Sequence, residues 1–105
     1  MPKYKTVPKI LDAAADRLEK HGWCQESFEL GPKRCLVGAL NEVSAGPSRK
    51  KAINFLRAVL MSSDEVDVIS SNELLTDWND RKSRRKSQVI TALRKASKLA
   101  KRSKR

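Results

Sequence analysis

Two sets of residues in this chain have types and spacings that could do chemistry. The first is cationic: Arg81, Lys82, Arg84, Arg85, Lys86, Arg94, Lys95, Lys98, Lys101, Arg102, Lys104 and Arg105 all fall within residues 81–105, which contain no acid. Such a row can neutralise phosphates and release the counterions condensed on a nucleic acid, which favours binding without base recognition. The second set is His21, Cys24 and Cys35. A zinc site usually shows four donors with tighter spacing, such as C-x-x-C, whereas this set reads H-x2-C-x10-C with no further His or Cys. A cysteine nucleophile would need an imidazole held against it and a third group to orient that imidazole. His21 is the single histidine, and it sits on what reads as a helix-ending turn. The glycines at 22, 31, 38 and 46 are too scattered to cradle phosphate. The expectation is a non-enzymatic protein with no metal and no cofactor, whose two cysteines are free core thiols.

The net charge of +11 hides an asymmetry. Residues 1–80 carry eleven bases against twelve acids, so a near-neutral body bears a strongly basic end. An anionic polymer is the expected partner, DNA or RNA. Residues 81–105 contain no Phe, Tyr or Trp to stack on bases, so contacts would be mainly to phosphate, with little sequence preference. The same lack of an aromatic anchor, together with an alanine-rich apolar line, argues against membrane binding. No run of about 18 apolar residues is present and the N-terminus lacks the apolar stretch of a signal peptide, so the expected compartment is the cytoplasm. Trp23 and Trp78 read first as core residues. As hot spots of a protein-binding groove they support the alternative, a phage or host-modulating adaptor whose body binds another protein.

The elements that must position these residues are helical. Val7, Leu11, Ala14 and Leu18 share one face of a first helix that admits Pro8 in its first turn and stops at His21-Gly22. Trp23, Cys24 and Phe28 read as apolar contacts from an irregular segment lying against the core and reaching Gly31-Pro32. Leu36, Ala39, Leu40 and Val43 mark a second helix, with Gly38 and Ala39 small enough for close approach by another element, and with a stop at Gly46-Pro47. Ser48 is the expected cap of a third helix bearing Ala52, Phe55, Leu56 and Val59, although Arg49, Lys50 and Lys51 crowd its positive end. Residues 64–69 read as connection. Ser70 and Glu73 form a capping box ahead of a short helix with Leu74, Leu75 and Trp78, which Asn79-Asp80 closes. A fifth helix starts between 83 and 87 and aligns Val89, Leu93, Ala96 and Ala100. The expected architecture is all-α: a compact four- or five-helix domain over residues 1–100, with a basic, disordered tail at 101–105.

Gly22-Trp23-Cys24-Gln25, Cys35 through Leu40, Trp78-Asn79-Asp80 and the Gln88, Val89, Ile90, Leu93 set stand in an order that resembles an uncharacterised family of small helical proteins from actinobacteria and their phages. That family typically reads GWCQ, C-x-x-GAL, WND and a final EVL-x-x-L helix. The resemblance implies a helical fold and carries no activity. Its members often place Thr and Glu ahead of the last helix; here Arg85 and Gln88 stand there, so that capping box is expected to be lost.

Overall fold

The computed structural model describes residues 3–61 and 71–102, without the side chains of 61 and 71–74. The expected connection at 64–69, the Ser70–Glu73 capping box, and Lys104 and Arg105 lie outside what is described. The order is α1 (Val7–His21), β1 (Glu29–Leu30), β2 (Lys33–Arg34), α2 (Leu36–Val43), α3 (Gly46–Met61), α4 (Ser71–Asp80) and α5 (Lys86–Arg102). The all-α expectation holds, with five helices and one two-stranded antiparallel ribbon among the described residues.

The periodicity argument succeeds because the apolar stripes are the core. Ile10, Leu11, Ala14 and Leu18 of α1 meet Val89, Leu93 and Ala96 of α5, with Leu36, Leu40, Val43, Leu56 and Leu75 completing one cluster, each of them fully buried. α5 packs most extensively on α1 and also on α3, so the basic helix is a wall of the domain. Its helical conformation continues through Lys101 and Arg102, the first two residues of the expected tail.

Two boundaries differ from the sequence reading. α2 ends at Val43, and Gly46-Pro47 opens α3. Proline suits a first turn, where its missing N–H has no intrahelical partner to lose. Ser48 therefore lies inside the helix and is not its cap. Arg49 is explained by what it does for the preceding helix: its Nη2 donates to the carbonyls of Ser44 and Asn41, which the end of α2 leaves without partners.

The second difference is the segment after α1. Residues 29–34 form a hairpin around Gly31-Pro32, and Cys24 N–H donates to Arg34 O (3.0 Å), which ties the ribbon to the loop. Phe28 is 58% exposed rather than packed on the core, and Leu30 is 61% exposed. The close approach expected at Gly38 comes from the hairpin backbone: a Cβ there would lie 2.3 Å from the Phe28 carbonyl oxygen.

Candidate nucleic-acid interface

The structure disperses the cations that the sequence places together. Arg84 is buried, with its Nε donating to Trp78 O (2.9 Å) and its guanidinium stacked 3.8 Å from the Trp78 ring centroid. Stacked there, it fixes the turn between α4 and α5. Arg94 donates to Asp12 (3.1 Å) and Asp16 (2.6 Å), with Glu19 at 3.9 Å, and Lys101 reaches Asp12 at 3.5 Å. Lys86 donates to the Glu19 carbonyl (3.2 Å). Residues 81–105 contain no acid of their own, but α1 supplies the acids across the helix pair. A signal for this was present in the sequence: 12, 16 and 19 share one face of the first helix, at the i, i+4, i+7 spacing. For Asp12, burial acts to raise its pKa, yet Arg94, Ser97 and Lys101 together hold it below the usual value.

Five cations remain exposed with no ion-pair partner among the described residues: Lys82, Arg85, Lys95, Lys98 and Arg102. Arg81 is also exposed, and its carbonyl accepts from Gln25 Nε2 (2.8 Å). Along α5, Gln88, Thr91, Lys95, Lys98 and Arg102 form one exposed stripe opposite the buried Val89, Ala92, Leu93, Ala96 and Ala100. The N-terminus of α5 keeps half of the capping box expected to be lost, because Gln88 Oε1 accepts from Arg85 N–H (2.9 Å).

The tryptophans and the WND residues converge on a polar lock. Asn79 is fully buried. Its Oδ1 accepts from Trp23 Nε1 (2.6 Å) and Leu36 N (3.1 Å), while its Nδ2 donates to Cys24 O (3.1 Å) and Asp80 Oδ1 (2.9 Å). Gln25 Nε2 donates to the carbonyls of Asn79 and Arg81, taking up acceptors at the end of α4. Asp80 receives the N–H of Glu26 (2.8 Å), which holds that residue at φ 64°. Trp23 is half-buried and Trp78 is 6% exposed. The motifs that are separate in sequence thus form one structural joint between the loop, α2 and α4.

Both cysteines are free and buried. Cys35 caps α2, its sulfur accepting from Gly38 N (3.3 Å), and Cys24 donates to Ser27 O (3.4 Å). Burial pushes both thiols up, away from reactivity. His21 is exposed at the end of α1.

One cluster has no counterpart in the sequence reading. Glu42 of α2 accepts from Arg17 Nε on one oxygen and Arg34 Nε (2.8 Å) on the other. The Arg17 hydrogen bond, outweighing burial and joined by Arg34, holds Glu42 below the usual carboxylate value. The unfolded chain therefore takes up this proton first as pH falls. The stabilisation is complete above the ordinary value of 4.5 and is lost as pH drops through the lower folded value. The urea midpoint should fall between pH 5 and pH 3, with a shallower fall in Glu42→Gln.

No helix among the described residues is long and apolar enough to cross a membrane. No curated protein and no solved structure matches the chain. A family model does match, over residues 2–99, and by that match the chain belongs to DUF6197, a family of unknown function.

Proposed function

We propose that the protein binds nucleic acid through phosphate contacts of the exposed ridge on α5, with no catalytic role. The observation that carries this is the stripe of Lys95, Lys98 and Arg102, which faces solvent while the other cations of the helix, Lys86, Arg94 and Lys101, are taken up by α1. Lys82 and Arg85, just ahead of the helix, are also exposed. A helix with its opposite face fixed in a core is a rigid mount for such a ridge, and Gln88 and Thr91 add hydrogen-bonding groups on the same side. The motif resemblance adds the expectation of an actinobacterial or phage origin.

If about five cations meet phosphates on a duplex, log affinity falls with log salt at a slope of roughly −4 to −5. A salt titration against random duplex and random single strand, DNA and RNA, measures this. The variant Lys95→Glu/Lys98→Glu/Arg102→Glu should lose most of the binding and most of the slope while folding normally. Arg94→Gln should instead cost stability and leave the slope nearly intact, because its guanidinium serves α1. Equal binding by the triple variant, or no binding near physiological salt, would sink the proposal. Truncation after residue 80 is uninformative, since it removes the core residues Val89, Leu93 and Ala96.

The adaptor reading rests on a different surface from the one the sequence suggests. Trp23 is held by Asn79 and Trp78 is buried beneath Arg84, whereas Phe28 and Leu30 stand out on the hairpin. A protein partner that uses this face would lose affinity on Phe28→Ser/Leu30→Ser, which the salt titration would not register.

A further inference from the structure

We infer that the form of nucleic acid taken by the α5 ridge is duplex DNA, and that Lys5 and Lys9, across the helix pair from the ridge, meet the phosphates of its second strand. This rests on the nucleic-acid reading of the ridge and adds to it the form of the partner and two residues.

α1 and α5 pack side by side in opposite directions: Ser97 Oγ donates to Pro8 O (3.2 Å), Arg94 reaches Asp12 and Asp16, and Lys86 reaches the Glu19 carbonyl. The C-terminal end of α5 therefore lies beside the N-terminal end of α1. Lys98 follows Ser97 and Lys9 follows Pro8, so the hydrogen bond between their neighbours sets the two lysines at one level of the pair. Both are exposed. Lys9 lies opposite the buried stripe of Ile10, Leu11, Ala14 and Leu18, and Lys98 lies opposite that of Val89, Leu93, Ala96 and Ala100. Lys5 is exposed just ahead of α1, in a segment fastened where Tyr4 N–H donates to Val43 O (2.8 Å).

Neither Lys5 nor Lys9 has an ion-pair partner among the described residues. The next acids along α1, Asp12 and Asp16, are held by Arg94 and Lys101. Two short rows of cations thus flank one seam, with Lys5 and Lys9 on one side and Lys98 and Arg102 on the other. Packed helices hold their axes about 8–10 Å apart. The strands of B-form DNA border grooves about 6 and 12 Å wide, so rows at this separation, on long side chains that adjust, match a pair of strands. A single strand follows one row and gains nothing from the other.

The test is a salt titration of the full chain and of Lys5→Gln/Lys9→Gln against a random-sequence DNA duplex and one of its single strands. Both lysines are exposed and unpaired, so the variant should melt with the parent. On the duplex, losing two phosphate contacts should make the slope of log affinity against log salt shallower by roughly 2 and weaken binding about tenfold near physiological salt. On the single strand, binding should stay within about twofold of the parent. Lys20→Gln/Lys33→Gln removes the same charge from the other end of α1 and from the hairpin, both exposed, and should leave duplex binding nearly unchanged. An RNA duplex, whose grooves have other widths, should lose less than the DNA duplex. A parent that binds neither duplex nor single strand overturns this inference together with the reading of the ridge. A parent whose binding is lost with the α5 triple variant but kept in Lys5→Gln/Lys9→Gln overturns this inference alone. Equal losses on duplex and single strand, on DNA and RNA duplexes, or in the Lys20→Gln/Lys33→Gln control overturn it as well.

Discussion

Asn79→Ala should bring the protein to the edge of unfolding. The asparagine makes four hydrogen bonds from a fully buried position, and its removal leaves Trp23 Nε1, Leu36 N–H and Cys24 C=O without the partner that each now has. Each stranded buried group costs about 1–3 kcal/mol, and the vacated space adds a cavity term. A loss of roughly 3–5 kcal/mol is expected, a large share of the ~5–15 kcal/mol typical of a domain. Asn79→Asp keeps the acceptor but turns an oxygen toward Cys24 O and Asp80, so it should fare no better. Urea denaturation of both variants measures this, and a loss under about 1 kcal/mol would show that the lock is replaceable.

Gly38→Ala is the second large effect. The added methyl would meet the Phe28 carbonyl oxygen at 2.3 Å, and the obstruction is backbone, which no rotamer change relieves. The hairpin must move, and moving it strains the Cys35 N–H to Phe28 O bond (3.2 Å) and the Cys35 cap of α2. Overpacking of this kind typically costs about 1–3 kcal/mol, and with the lost bond the melting temperature should drop by about 10 °C or more. Alanine at the exposed Gly31 tip meets no atom within 4 Å, so only its positive φ penalises it, and it serves as the control. Equal melting temperatures for the two variants would contradict the tight approach.

The helices were legible because burial at i, i+3, i+4 and i+7 is a local signal that tertiary structure here only confirms. Leu36, Ala39, Leu40 and Val43 are all buried as that spacing predicts. What was not legible depends on pairs distant in sequence. Arg94 and Asp12 meet across 82 positions, and Asn79 reaches Cys24 across 55. Without those pairings Arg84 and Arg94 look identical to Lys95 and Lys98, although the first two are structural and the others face solvent. The two-residue strands failed for another reason: an antiparallel ribbon this short has no room for a period of two. Phe28 was misplaced along with it, because a large aromatic is core by default and its exposure depends on how the hairpin turns.

The pairing of α1 with α5 has a consequence for synthesis. α1 finds its principal partner only in α5, the last helix described, so the core cannot close until α5 has been made. Until α5 emerges, Leu11, Ala14 and Leu18 are uncovered and the acids at 12, 16 and 19 are unpaired. The nascent chain then lacks the cations that balance those acids, and it acquires its positive ridge in the same step that completes its fold. Unfinished products would therefore be both unfolded and unable to present the ridge, so degradation of incomplete chains would remove no species with partial binding activity.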